Sequence, residues 1–156
     1  MSVVDEVLRN PGKTRHCFFY WTTRDGSSFE MFSKLMEDIY AKDANNIIEI
    51  RHFLTSAKQD DRDLGAVLLY HAAQSIHAKS DYDIILKHHS KNQVQCGRPK
   101  WPRELERIKA IAKNQYGENK CAIFFCGPDA MANDISTNAQ KLAEADFLFD
   151  FNKETF

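Results

Sequence analysis

Apolar positions along this chain follow two alternating rhythms, runs at strand spacing and stripes at helical spacing. In "SVVDEVLRN", Val3, Val4, Val7 and Leu8 share one helical face, and Asn10-Pro11-Gly12 ends it. "HCFFYWTT" is a continuous apolar and aromatic run, the pattern of a strand covered on both sides. "SSFEMFSKLMEDIYAK" sets Phe29, Phe32, Leu35, Met36, Ile39 and Tyr40 at helical spacing behind a capping-box pair, Ser27 and Glu30. That predicts one helix whose stripe is core. "NIIEIRHFLTS" alternates, with Ile48, Ile50, His52 and Leu54 on one face and Ile47, Glu49, Arg51 and Phe53 on the other. A polar run, "AKQDDRD", leads to a helix near 64–78, and 79–92 carries no pattern and reads as loop. Then come a short strand, "QVQC", and a helix opened by Pro102, carrying Leu105, Ile108, Ile111 and Ala112 and stopped by Gly117. A strand over 122–125, a helix with Met131, Ile135, Ala139 and Leu142, and the alternating "DFLFDF" complete the chain.

Strands separated by helices imply right-handed crossovers. The expected fold class is therefore α/β: a three-layer, mostly parallel sheet with helices on both faces, one domain over residues 1–156. Composition adds exclusions. A formal net charge of −1 gives no basic field for nucleic acid. No run approaches the ~20 apolar residues that span a bilayer, and the amino terminus lacks a signal-peptide pattern, so the piece is expected to be soluble. Cys17, Cys96, Cys121 and Cys126 form no C-x-x-C pair and read as reduced, buried thiols in a reducing compartment. No metal site is expected, and His88-His89 reads as solvated loop.

In a parallel sheet, ligands bind beyond the carboxyl ends of the strands. Those ends carry Thr22-Thr23-Arg24, Thr55-Ser56, Gly97-Arg98-Pro99-Lys100-Trp101 and Cys126-Gly127-Pro128. Arginine forks suit phosphate oxygens, Trp101 offers a face for a flat base, and helix starts offer unpaired N–H groups. Taken singly, each has an ordinary structural account: Arg24 as a surface charge, Trp101 as a core cap, Gly127-Pro128 as a strand-to-helix turn. Their convergence on one rim points to a nucleotide-binding α/β domain.

"FFYWTTRDGSSFEMF", "IIEIRHFLTS", "QCGRPKW", "IFFCGP" and the terminal "FDFNKETF" occur in that order. Together they resemble the carboxyl-terminal half of the dehydrogenase region of NADPH oxidases, within the ferredoxin–NADP reductase and ferric reductase superfamily. The resemblance implies a ferredoxin-reductase-like NADP-binding domain. It places Arg24, after Thr23, at the adenosine 2′-phosphate, with Arg98 as a second cation and Pro99 and Trp101 shaping the adenosine pocket. It puts Cys126, Gly127 and Pro128 beside the nicotinamide, and Phe156 over the flavin ring until nicotinamide displaces it. Cys126 would line the hydride-transfer site without acting as a nucleophile. The implied chemistry is hydride from NADPH to FAD, single electrons to haems in a membrane domain, and oxygen reduced to superoxide. Implied partners are the FAD-binding and transmembrane haem domains of a parent chain, together with cytosolic regulators. The segment would then sit at the cytosolic face of a membrane.

The family's first strand and Gly-rich pyrophosphate loop have no counterpart here, since no G-x-G occurs. The isolated chain is accordingly expected to be inactive and weak toward NADPH, and prone to strand exchange or self-association at the sheet edge left open. A ferric-chelate reductase segment and a non-catalytic regulatory fragment are the alternatives.

Overall fold

The computed structural model describes residues 3–10, 12–56, 64–77, 82–83, 88–89 and 94–154. Helices alternate with parallel strands, the α/β class that the patterning implies. The chain is described as two compact units, Met1–Arg98 and Pro99–Phe156.

In the first unit, helix α1 (Val3–Arg9) precedes strand β1 (Cys17–Thr23), helices α2 (Ser27–Met31) and α3 (Ser33–Lys42), and strand β2 (Ile48–Leu54). Helix α4 (Leu64–His77), two-residue strands β3 (Tyr82–Asp83) and β4 (His88–His89), and β5 (Gln95–Cys96) follow. The sheet runs β1-β2-β5, all parallel. Its β1–β2 register pairs Cys17 with Ile48 and Thr23 with Leu54. The even-numbered face of β2 is buried from Ile48 to His52. Ile48 and Ile50 pack there with Val4, Met36 and Ile39 from the helices. Trp21 joins this cluster to a second, made of Phe29, Tyr70 and Val94. Its ring meets those of Phe29 and Phe32 at 6.0 and 5.0 Å. His52 lies buried between Trp21 and Phe29. On the opposite face, Arg51 lies over the rings of Tyr20 and Phe53 at 5.9 and 5.7 Å, a cation–π arrangement across the strand pair.

Several expectations change here. Strand β1 is half-buried along its whole length, not fully covered, and among the described residues it has a hydrogen-bonded neighbour on one side only. The single helix over 27–42 breaks at Phe32, which adopts φ −112° and ψ 10°. Met36 and Ile39 stay buried while Phe32 and Leu35 are exposed, so half of the stripe is core. Ser27 is the first residue of α2 and its hydroxyl donates to Asp25, so the cap is Asp25 and not a Ser27 capping box. Within 79–92, β3 and β4 form a two-residue antiparallel pair in place of an unbroken loop.

The second unit comprises helix α5 (Trp101–Tyr116), strand β6 (Lys120–Phe125), helix α6 (Asp129–Leu142) and strand β7 (Leu148–Lys153). Strands β6 and β7 are parallel, pairing Lys120 with Leu148 and Phe125 with Lys153. Trp101, Leu105 and Ile108 of α5, with Ala132, Ile135 and Ala139 of α6, are the buried helix positions. The predicted Ile111, Ala112, Met131 and Leu142 are half-buried at the margins. Phe147 is fully buried before β7, and Phe125 stacks on Phe151 at 6.2 Å. Lys109 reaches the carbonyl of Leu142 and the Glu144 carboxylate, and Lys113 reaches Asp146, so α5 holds the turn between α6 and β7. The Lys113 ammonium keeps the Asp146 carboxyl below its ordinary range. No helix among the described residues is long and apolar enough to cross a membrane.

Candidate functional site

The three parallel strands of the first unit end together. Thr23, Leu54 and Cys96 lie in one row of the register. Beyond that row, Thr55 donates both its backbone N–H and its hydroxyl to the Thr23 carbonyl, at 2.7 and 3.0 Å. The Gly97 N–H donates to the Leu54 carbonyl at 2.9 Å. These bonds set Arg24, Thr55-Ser56 and Gly97-Arg98 side by side along one carboxyl rim. Gly97 turns the chain with φ +97°, a conformation open chiefly to glycine. Arg24 and Arg98 are exposed, and neither makes a hydrogen bond or ion pair among the described residues. Two guanidinium forks on one edge, without partners among the described residues, have the chemistry to hold an anion.

Arg24 is mounted in a short hydrogen-bonded turn. The Thr23 hydroxyl accepts the Asp25 N–H and donates to the Asp25 carbonyl, both at 3.1 Å. The Asp25 carboxylate accepts from the Ser27 N–H at 3.0 Å and from the Ser27 hydroxyl at 2.6 Å. Those two bonds, the hydroxyl's first, hold the Asp25 carboxyl below its usual range. Asp25 and Ser27 were missed as site residues in the sequence. Their signal was the spacing of short polar side chains two apart, the mark of side-chain-to-backbone turns.

The other sequence-predicted residues belong to the second unit. Pro99 is buried, and Trp101, the first residue of α5, is only 8% exposed. Trp101 is thus a wall and not an open stacking surface. The Lys100 carbonyl accepts the N–H groups of Arg103 and Glu104, seating the helix start. Strand β6 delivers Cys126-Gly127-Pro128 to the start of α6, whose first N–H groups, from Met131 and Ala132, find the Pro128 carbonyl. The Cys126 thiol is exposed, a correction to the expectation of buried cysteines; Cys17, Cys96 and Cys121 are half-buried, and none of the four is in a disulfide. The tail of β7 runs beside this mouth: the Glu154 N–H donates to the Phe125 carbonyl, and Lys153 pairs with Asp129. Phe156 lies outside the described residues.

Gly127 is fixed by space. A Cβ built there would stand 2.9 Å from Cζ of Phe125, at φ +156°. Phe125 is buried against Phe151 and has little room to withdraw. Gly127→Ala is therefore expected to cost about 1–3 kcal/mol, read as a lowered midpoint in urea; an unchanged midpoint would show that the ring gives way.

An α/β fold with arginines at its carboxyl rim suits a nucleotide. The ferric reductase NAD binding domain model matches residues 1–140, and the chain belongs to that family. It is 30% identical to the "Probable respiratory burst oxidase homolog protein I" of Arabidopsis thaliana over 156 residues, 99% of this chain and 16% of that protein. It is also 27% identical to respiratory burst oxidase homolog protein B of Solanum tuberosum and 28% identical to protein B of Oryza sativa subsp. japonica, over 95% and 97% of this chain. In both, too, it spans 16% of the relative's length.

Proposed function

We propose that this segment binds NADPH for a flavin- and haem-dependent NADPH oxidase. The observation that carries the proposal is the pair of exposed arginines, Arg24 and Arg98, without partners among the described residues, on the rim of an NAD-binding fold. An adenosine 2′-phosphate, with up to two negative charges, is the feature that would use both forks. Pro99 and Trp101 would wall the adenosine. Gly127 would let the backbone approach the nicotinamide, and the small Cys126 side chain would leave room for its ring, with Pro128 starting α6 behind. Phe156 would shield the flavin. NADPH, FAD and haem supply the redox chemistry, hydride and then single electrons to oxygen to yield superoxide; this chain's residues bind and orient.

Partners in this proposal are the FAD-binding and transmembrane haem domains of a parent chain and cytosolic regulators, at the cytosolic face of a membrane. Alone, the segment would not turn over. Strands β1 and β6 end their sheets on one side among the described residues, and a further strand, from a parent or a second copy, would pair there. The family model's name, ferric reductase, keeps a ferric chelate as the second reading of the final acceptor.

The test joins the segment to its flavin-binding domain, supplies FAD, and follows NADPH oxidation with an artificial acceptor. Turnover that prefers NADPH to NADH is expected. A folded, flavin-loaded protein without turnover would leave a non-catalytic interaction module as the better account.

A further inference from the structure

We propose that Asp25 and Ser27 tune ligand preference at the β1 rim by holding the carboxylate next to Arg24 away from its guanidinium. The inference rests on the reading of Arg24 as the 2′-phosphate cation and adds positioning residues to it.

An aspartate adjacent to a phosphate-binding arginine is a charge of the wrong sign. Free to move, it would pair with the guanidinium or repel the phosphate. A carboxylate at such a strand end also suits the opposite ligand, since it accepts a hydrogen bond from an unphosphorylated ribose hydroxyl. Here both its oxygens are occupied: Oδ1 takes the Ser27 N–H and Oδ2 takes the Ser27 hydroxyl. The carboxylate is turned toward the first turn of α2 while Arg24 makes no ion pair among the described residues. Thr23 completes the frame, because its hydroxyl proton is given to the Asp25 carbonyl and its lone pair takes the Asp25 N–H. With no donor left for a phosphate oxygen, Thr23 acts by positioning and not by contact. The backbone bearing Arg24 is thus bridged over its side chain, and its charge stays available to a ligand.

Ser27→Ala removes only the hydroxyl bond and leaves a charged carboxylate able to swing toward Arg24. Asp25→Asn removes the charge and keeps an acceptor for the Ser27 N–H. The experiment titrates the 156-residue chain with adenosine 2′,5′-bisphosphate and with 5′-AMP, following backbone amide shifts by NMR. Ser27→Ala is expected to weaken the bisphosphate about threefold to fivefold, the scale of an exposed charge pair, and to leave 5′-AMP unchanged. The double variant Ser27→Ala/Asp25→Asn is expected to recover the loss, because an amide brings no charge to the guanidinium. A turn that mattered only for shape would behave otherwise. Ser27→Ala would then weaken both ligands alike and the double variant would deepen the loss; either result overturns the proposal. Arg24→Ala separates the two ideas. If Arg24→Ala weakens the bisphosphate but Ser27→Ala does not, the clamp alone falls. If Arg24→Ala changes nothing, or the unaltered chain does not prefer the bisphosphate, the 2′-phosphate assignment falls and the clamp with it.

Discussion

Replacing Arg24 and Arg98 together by alanine should raise the KM for NADPH about a hundredfold in the flavin-loaded protein and move that for NADH by no more than about twofold. A hydrogen bond to a charged group contributes about 1.5–3 kcal/mol. Both side chains are exposed, so the lower end applies to each, and two such losses make roughly 3 kcal/mol, about two factors of ten. The 2′-phosphate lies far from the reacting carbon of the nicotinamide, so its contacts are equally present in ground and transition states. The loss should therefore fall on KM and spare kcat. If both forks grip one phosphate, the single variants will each lose more than half of the total, since neighbours sharing a ligand are not additive. Steady-state kinetics with the two nicotinamides decide it. Equal losses for NADPH and NADH, or a loss confined to kcat, would place the arginines somewhere other than at the 2′-phosphate.

The arginines of that prediction are visible in the sequence through a topological rule, and their 2′-phosphate role through the family resemblance. Arg24, Thr55 and Arg98 each follow a parallel strand, and parallel strands deliver their carboxyl ends to one edge whatever their order. Strand β2 was legible for a local reason. Its central position buries Ile48, Ile50 and His52 on one face, so the period of two survives in the sequence. Strand β1 misled for the converse reason: its aromatic run reads as doubly covered, and the long side chains of Phe18, Tyr20 and Trp21 are only half-buried.

What the sequence hid was set by hydrogen bonds. The break at Phe32 leaves the helical spacing of Phe29, Met36 and Ile39 undisturbed, so periodicity passes over it. In the site, the charge of Arg24 could be read directly, but the bonding of Asp25 could not. An aspartate two residues before a serine caps a helix or pairs with the preceding arginine, and only geometry distinguishes the two.

Asp43→Ala should destabilise the first unit by about 3–5 kcal/mol, the largest single effect expected outside the apolar core. Asp43 is 5% exposed and ends α3, its own N–H returning to the Ile39 carbonyl at 3.0 Å. Its carboxylate accepts the Ile47 N–H at 2.8 Å and the Ile48 N–H at 2.9 Å, one at each oxygen. Alanine leaves both amides without that acceptor, and Ile48 is buried, so water cannot readily replace it. Asp43→Asn should cost less, because one carbonyl oxygen can still serve one of the two amides. The same carboxylate raises the pKa of the Cys17 thiol, second to burial itself. The variant should therefore bring that pKa down only part of the way. Urea unfolding followed by tryptophan fluorescence measures the first effect, since Trp21 sits in the affected core. The functional consequence follows from the register. Ile47 accepts the Cys17 N–H at 2.8 Å where the strand pair begins, and the same pairing ends at Thr23 and Leu54 beneath the arginine rim. An Asp43→Ala chain with an unchanged midpoint would show that register is held by the core cluster alone, and that the rim owes nothing to the turn that starts its central strand.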